Sequence, residues 1–211
     1  MNSRLNRAQQ SERNRALLLS AARRVFLARG YHAATLEQIA DEAGFSKGVV
    51  YSQFQSKADL FLALLEARIE ERAQENARLV EDTADSVLPA LLDHLVRGDQ
   101  VTPGWLLLVV EFRVHAAWDP ELSRRYAAAH ARTVEALTGV LATISERSGD
   151  RLALAPRQLA EVLLAISTGA TLEQAADPSS LDGPLLSQLV AQFLGSAVPS
   201  PGDALTGSSG S

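Results

Sequence analysis

Hydrophobic residues recur at three- and four-residue spacing along most of the chain, which is typical of amphipathic helices. The first helix is predicted from about Glu12 to Arg29, with Gly30 where a C-terminal cap belongs. Further helices are predicted over residues 58–80, 86–96, 103–117, 120–148, 156–175 and 184–194. Alternation of the kind that marks a strand is not evident, so the pattern predicts an all-α fold.

Residues 35–57, TLEQIADEAGFSKGVVYSQFQSK, form the most specific stretch of the chain. Thr35 is placed to cap a short helix, with Gln38 three residues later to complete a capping box. Gly44 ends this helix, and Ser46 is the predicted N-cap of the next. Two short helices joined by so short a connection are typical of a helix-turn-helix unit.

The second of these helices is predicted from Lys47 to about Phe54, and it is the candidate DNA-reading helix. Val49, Val50 and Phe54 can supply its buried side. The polar and small residues left for the outside or the margins are Lys47, Gly48, Tyr51, Ser52 and Gln53. Glycine inside a helix costs about 1 kcal/mol relative to alanine. Gly48 therefore indicates a close approach, either by DNA or by another helix in a tight crossing.

Charge is distributed unevenly along the chain, whose net charge is −5. Residues 1–57 hold nine basic and four acidic side chains, a net charge of +5, so the remaining 154 residues carry −10. This asymmetry favours a polyanion-binding N-terminal part and a C-terminal part with another task. Double-stranded DNA is the expected partner of the basic part.

Several functional classes are disfavoured by what the sequence lacks. There is no cysteine, which excludes disulfides and thiolate metal or redox sites. The start has no apolar segment of a secretory signal, and the longest apolar run, residues 105–110, is far short of the ~20 residues of a membrane span. Nucleophile-elbow, phosphate-loop and zinc-protease motifs are absent as well. We therefore expect a soluble cytoplasmic protein that is not an enzyme, with no membrane partner and no catalytic residue.

The same features give a domain organisation. Residues 1–11 are polar and are expected to form a flexible arm, and residues 12–57 to form the DNA-binding domain. Residues 58–195 are expected to form a larger helical-bundle domain, to which the family resemblance described below assigns effector binding and dimerisation. Residues 196–211, rich in Ser, Pro and Gly, are expected to be disordered.

Aromatic and imidazole side chains concentrate in two consecutive predicted helices, and in a helical bundle such a cluster can line an apolar pocket with polar handles. The candidate effector-binding residues are Trp105, Glu111, Phe112, His115, Trp118, Tyr126 and His130. Two alternatives stay open, a plain hydrophobic core and a metal site. Glu111 and His115 are four apart on one helix face, but no third ligand has defined spacing, so no metal or cofactor is predicted.

The last two predicted helices carry apolar faces with small residues, which two copies of the chain can pack into an intersubunit four-helix bundle. The candidate dimerisation residues are Leu159, Leu163, Ile166, Ala170, Leu186, Leu189 and Phe193. The alternative is an internal pair of core helices.

Residues 21–65 resemble the TetR family of bacterial transcriptional regulators. The resemblance rests on FLARGYHAAT at the end of the first helix and on the block IADEAGFSKGVVYSQFQSKADLF, in order and in spacing. Later stretches, EFRVHAAWDPEL and GATLEQAADP, also resemble parts of some members. The resemblance implies an all-helical homodimer whose N-terminal domains bind an inverted-repeat operator and whose C-terminal domains bind a small effector that releases the DNA.

The resemblance also implies roles for individual residues. Thr35, Lys47, Tyr51 and Lys57 match positions that contact the phosphate backbone. Ser46, Gly48 and Gln53 match positions where bases are read or the backbone approaches closely, and a glutamine can read adenine in a major groove. The expected function is a repressor released by a small apolar or aromatic effector. The alternatives are a regulator without small-molecule input and an activator of the same fold.

Overall fold

The computed structural model describes residues 2–82, 104–148, 154–181, 185, 186 and 188. Within them the chain forms seven main helices and no strand, which confirms the predicted all-α class. Contacts divide the chain into two compact units, Met1–Gln74 with Asp99–Thr133 and Glu75–Gly98 with Val134–Ser211. The first unit therefore includes residues that the sequence assigned to the C-terminal domain.

Helix α1 spans Asn2–Ala33 and is longer than predicted at its N-terminus. Residues 2–11, expected to form a flexible arm, continue the helix because no proline or glycine interrupts them. Near its other end the helical path breaks at Gly30, whose φ of 76° and ψ of 170° lie outside the helical region. The three residues after Gly30 therefore form a separate short turn.

Helices α2 (Leu36–Ala43) and α3 (Lys47–Gln53) form the predicted helix-turn-helix. Thr35 Oγ1 accepts the Gln38 N–H at 3.2 Å, and Gln38 Oε1 accepts the Thr35 N–H at 3.1 Å, which completes the capping box. Gly44 ends α2 in the left-handed conformation, with φ 70° and ψ 28°. Val50 of α3 is fully buried.

Three further helices run through the first unit, wholly or in part: α4 (Lys57–Asp82), α5 (Trp105–Ala116) and α6 (Pro120–Ser148). Ser56 begins α4, because its hydroxyl accepts the Asp59 N–H at 3.0 Å and donates to the Asp59 carboxylate at 2.8 Å. The Asp119 carboxylate caps α6 in the same way, accepting N–H groups of Glu121 and Leu122. The starts of α4 at Lys57 and of α6 at Pro120 agree with the starts predicted at residues 58 and 120.

The core of the first unit joins the helix-turn-helix to α1, α4 and α5. Phe26, Phe61 and Phe112 are fully buried at its centre, and Phe61 stacks on Phe112 with ring centroids 4.2 Å apart. Helix α1 packs against both α2 and α5, and α2 packs against α3. This packing stabilises α2 and α3, because helices of seven or eight residues are only marginally stable in isolation.

Helix α7 (Pro156–Ala176) belongs to the second unit, together with the later part of α6. Leu141 and Ile144 of α6 are buried there, as are Leu159 and Leu163 of α7. The helix predicted over residues 86–96 and most of the one predicted over 184–194 lie outside the described residues, as does the C-terminal tail. Among the described helices, none combines the length and the hydrophobicity that a membrane span requires.

Candidate nucleic-acid interface

The exposed side of α3 carries most of the predicted DNA-binding residues. Gly48 and Ser52 lie two residues before and after buried Val50, about 200° around the helix from it, so they face outward. Tyr51 lies beside them with 52% of its surface exposed. Lys47 is exposed at the first turn. These four residues form the reading face of α3.

Gly48 has open space around it. A Cβ added there would have only the Ser46 hydroxyl oxygen within 4 Å, at 3.8 Å. No described helix therefore crosses α3 closely at Gly48, which removes the tight-crossing interpretation. The surface at Gly48 therefore has room for a close approach from outside the chain.

The polar groups around the start of α3 are linked to α2. Lys47 Nζ lies 3.2 Å from Glu37 Oε1, and both side chains are largely exposed. The N–H of Glu37 itself, and then Lys47, hold the pKa of the Glu37 carboxyl below its usual range. An exposed pair of this kind exchanges readily for another anion, because it contributes little free energy. Lys47 is therefore available to a phosphate.

The two serines of this region differ in their hydroxyl partners. Ser52 Oγ donates to the Val49 carbonyl oxygen at 2.7 Å, which leaves its lone pairs facing outward as acceptors. Ser46 begins α3 with extended backbone but makes no side-chain capping bond, and it is exposed.

Gln53 faces a different direction from the rest of α3. It is half-buried, and its Nε2 donates to Ser11 Oγ of α1 at 2.9 Å. One helical turn further along α1, the Arg15 guanidinium lies 4.9 Å from the centre of the Phe54 ring. The end of α3 is thus fixed against α1, and the structure places Gln53 at the margin of the reading face.

Lys57 differs from the prediction that it contacts a phosphate. Its ammonium donates to the carbonyl oxygens of Tyr31 at 2.7 Å, His32 at 3.0 Å and Ala34 at 2.9 Å. An ammonium has three donors, so all of them are used within the protein. Partial burial lowers the pKa of Lys57, while the Glu111 carboxylate opposes this shift by favouring the charged form. The structure thus makes Lys57 an anchor of the chain before α2.

Glu111 was predicted to be a polar handle of an effector pocket, but its carboxylate bonds to the main chain of α1. Its two oxygens accept the N–H of Tyr31 at 2.8 Å and that of His32 at 2.9 Å. Gly30 makes room for this contact, since a Cβ there would lie 2.9 Å from Glu111 Oε2. This contact is not visible in the sequence pattern, because it joins residues about 80 positions apart.

The aromatic residues predicted to line a pocket lie mainly in the core. Trp105 and Phe112 are buried and contact Phe61, with ring centroids 6.4 and 4.2 Å apart. Half-buried Tyr126 stacks on His130 at 6.2 Å and lies 6.1 Å from Phe112. The contacts of these side chains match the alternative of a plain core.

The two remaining predicted pocket residues lie further out. The His115 ring lies 5.1 Å from that of Tyr31 and 5.2 Å from that of His32. Trp118 is 87% exposed, because it lies in the turn between α5 and α6 where no described element covers it. Trp118 therefore does not line an enclosed pocket, contrary to the prediction.

A cleft of about 380 Å³ opens in the first unit beside the end of α3. Its lining residues are Arg15, Gln53, Phe54, Asp59, Leu62, Ala63, Glu66, Arg125, Ala128 and Arg132. Two ion pairs cross from α6 to α4 here, Arg125 with Asp59 at 2.6 Å and Arg132 with Glu66 at 2.5 Å. None of the predicted effector residues lines this cleft, and the described residues hold no cluster suited to a metal ion.

Several predicted dimerisation residues are buried inside the second unit. They are Leu159, Leu163 and Ala170 of α7, and Leu186. Ile166 is 36% exposed, and Leu189 and Phe193 lie outside the described residues. The buried residues correspond to the internal-core alternative, because side chains already covered by their own chain are not free to meet a second copy. The exposed side of α7 instead presents Ala165, Gly169 and Leu172.

Comparison with known families assigns both parts of the chain. The family model described as "Bacterial regulatory proteins, tetR family" matches residues 18–64. The model described as "BetI-type transcriptional repressor, C-terminal" matches residues 84–199, more than half of the chain.

Individual proteins agree with these matches. The HTH-type transcriptional activator FasR of Mycolicibacterium smegmatis is 33% identical over 79% of this chain and 74% of its own. The HTH-type transcriptional repressor AcnR of Corynebacterium efficiens is 33% identical over 54% of this chain and 56% of its own. The crystal structure of FadR from Bacillus subtilis in complex with stearoyl-CoA aligns with a TM-score of 0.66 at 19% identity, covering 87% of this chain and 98% of FadR.

Proposed function

This chain belongs to the TetR family of bacterial regulatory proteins, and we propose that it binds an inverted-repeat operator as a homodimer through the reading face of α3. Membership makes it a DNA-binding transcriptional regulator and not an enzyme. The observation that supports this use of α3 is its outward side, where exposed Tyr51 and Lys47 flank a glycine surrounded by open space. The +5 net charge of residues 1–57 favours the same partner.

The chemistry of the side chains divides the proposed contacts into two groups. Lys47, Tyr51 and Thr35 have donors suited to phosphate oxygens, so they position the unit on the duplex. Ser52 offers acceptor lone pairs, and Gly48 lets the α3 backbone approach a base edge. Exposed Ser46, which makes no capping bond, belongs with this second group.

Gln53 and Lys57 are proposed to support the interface indirectly, because both already have partners within the chain. Gln53 is bonded to Ser11, and Lys57 to three carbonyl oxygens. We therefore assign them to holding α3 and the chain before α2 in place. In that position they influence DNA binding without contacting a base.

A homodimer is proposed because one short reading helix contacts too few base pairs for specific binding, and two-fold pairing fixes the spacing of two half-sites. Ala165, Gly169 and Leu172 on the exposed side of α7 supply small and apolar residues for a second copy. A Cβ added at Gly169 meets nothing within 4 Å, so this surface has room for a closely packed partner helix.

An apolar small molecule is the proposed effector. FadR, which shares this fold, has a structure in complex with stearoyl-CoA, and it supports a ligand with a long apolar chain by analogy of fold alone. Repression relieved by the effector is the proposed outcome, in line with the repressor AcnR. The related FasR is a transcriptional activator, so activation by the same fold is the second candidate outcome.

Gly48→Leu tests the reading face, with Gly139→Leu in α6 as the matched control. Both glycines lie in helices with open space around them, so each replacement should raise the free energy of unfolding by up to about 1 kcal/mol through helix propensity. We expect only Gly48→Leu to weaken binding to labelled duplexes from the region upstream of the gene, measured by fluorescence anisotropy.

For Gly48→Leu we expect the free energy of unfolding to rise while DNA binding weakens. Weaker binding therefore cannot be explained by a misfolded variant. A more stable protein that binds DNA at least tenfold more weakly supports the proposal. Unchanged binding by Gly48→Leu would remove α3 from the interface, and a wild-type protein that bound no duplex specifically would overturn the proposed function. Release of the wild-type complex by acyl-CoA, compared with free CoA, tests the effector.

A further inference from the structure

The end of α1 beyond its break at Gly30, together with Ala34, forms a short turn, residues 31–34, here called the linking turn. It begins after Gly30, where the φ of 76° and ψ of 170° interrupt the path of α1, and it ends at Thr35, the N-cap of α2. Because the helix is interrupted, the first N–H groups and the last carbonyl groups of the turn lack the partners that a continuous helix would give them.

Charged side chains from two other helices satisfy both sets of groups. Glu111 of α5 accepts the N–H of Tyr31 and of His32 at 2.8 and 2.9 Å. Lys57 of α4 donates to carbonyl oxygens of the same turn at 2.7 to 3.0 Å. An anion at the N-terminal end and a cation at the C-terminal end are the favourable arrangement for the dipole of a helical turn.

We propose that Glu111 is a positioning residue for DNA binding, through its hold on the linking turn. The carboxylate fixes the first N–H groups of the turn to α5, and the turn leads directly into the capped start of α2. The placement of α2 and α3 on DNA therefore depends on where α5 lies. This inference rests on the proposed use of α3 for its DNA readout, whereas the hold itself is measurable without DNA.

Three further observations support this role of Glu111. The conformation of Gly30 is almost restricted to glycine, and a Cβ there would lie 2.9 Å from the carboxylate, so both the backbone and the space at this point suit Glu111. Phe112 packs on the Tyr31 ring at 4.9 Å, which aligns α5 with the turn. Glu111 also lies in the part of the chain matched by the C-terminal repressor model, whereas the turn lies in the part matched by the N-terminal model.

The test compares Glu111→Gln and Glu111→Ala with Glu121→Gln. Gln keeps one carbonyl acceptor but turns an amide donor toward the other N–H, so its effect should lie between those of Ala and the wild type. Glu121 is an exposed carboxylate at the start of α6 whose recorded ion pair is with its neighbour Arg124, so it controls for the loss of one negative charge. Amide hydrogen exchange of Tyr31 and His32 is measured by NMR in the full-length protein without DNA.

We expect exchange at Tyr31 and His32 to accelerate about tenfold in Glu111→Gln and further in Glu111→Ala, while the Ile39 amide inside α2 changes less. Operator affinity should fall in the same order with an unchanged salt slope, because Glu111 neutralises no phosphate. Glu121→Gln should match the wild type in both measurements.

Wild-type exchange at Tyr31 and His32 in Glu111→Ala would overturn the proposed hold. Accelerated exchange with unchanged operator affinity would overturn the positioning role while leaving the contact in place. If the wild-type protein bound no operator, the proposed function would fail, but the exchange measurement would still decide whether Glu111 holds the turn.

Discussion

Replacing Lys57 by methionine distinguishes an anchoring lysine from a phosphate-binding one. Methionine keeps the apolar stem and removes the ammonium, which donates to three main-chain carbonyl oxygens. The carbonyls of Tyr31 and Ala34 are partly buried, and that of His32 is exposed. An exposed carbonyl turns to water at little cost, whereas each partly buried one left without a donor costs about 1 kcal/mol. We therefore expect a destabilisation of about 2 kcal/mol.

The assay is urea denaturation followed by circular dichroism, at constant protein concentration because the proposed dimer makes stability concentration-dependent. Lys57→Met should lower the midpoint without changing the m-value. Operator affinity, measured from 50 to 200 mM salt, should keep the wild-type slope of log K against log salt. The absolute affinity should fall, since the linking turn leads into α2.

Lys47→Met is the matched comparison, because Lys47 is exposed and its ion-pair partner in the described part of the chain is the exposed Glu37. Its stability should change by no more than about 0.5 kcal/mol, as expected for a surface ion pair. Its salt slope should fall by about 1.8 for a dimer that loses two phosphate contacts, at about 0.9 per contact. Arg157→Met on α7, which removes an exposed cation paired with Glu161, should change neither quantity.

The opposite result would refute this assignment of the two lysines. If Lys57→Met kept the wild-type denaturation midpoint and lowered the salt slope by about 1.8, Lys57 would contact phosphate in the complex. Its three carbonyl bonds would then be a feature of the free protein alone.

Three further predictions concern the linking turn and the start of α2. Gly30→Ala should lower the free energy of unfolding by about 1–3 kcal/mol, because its backbone conformation nearly requires glycine and the new methyl would press on Glu111; thermal denaturation measures this. Thr35→Ala should cost about 1 kcal/mol by removing the cap, and Thr35→Ser should restore most of it. Burial raises the pKa of Tyr31 to about 12, and nearby carboxylates add to the shift. Because the folded state favours the neutral phenol, Tyr31 makes its full contribution to the free energy of unfolding below pH 10. That contribution is lost as the pH rises towards 12. Wild type should therefore lose about 2 kcal/mol more than Tyr31→Phe over that range, and equal losses would contradict the shift.

The sequence predicted those parts of the fold whose causes are local. Thr35, Gln38 and Gly44 lie within ten residues of one another, and their capping bonds follow from residue type and spacing. The helix predicted from residue 58 is a second example, since the two bonds between Ser56 and Asp59 at its start join residues three apart. The helix-turn-helix and the start of α4 could therefore be located from the sequence alone.

Contacts between distant residues could not be predicted in this way. Lys57 bonds to carbonyls 23 to 26 residues earlier, and Glu111 to amides about 80 residues away. From the sequence alone, a lysine at the start of α4 is expected to be a surface cation. A glutamate in an apolar helix is expected to be a polar group in a ligand pocket. Gln53 also looked exposed, because its bond to Ser11 spans 42 residues and depends on how α1 lies.

DNase I footprinting on the region upstream of the gene tests whether two copies of α3 read a two-fold symmetric operator. We expect one protected site made of two inverted half-sites whose centres lie about one DNA turn, or a multiple of it, apart. Gly48→Leu should abolish this protection, and Gly139→Leu should retain it. A wild-type protein that left the region unprotected, or protection unaffected by Gly48→Leu, would contradict the account.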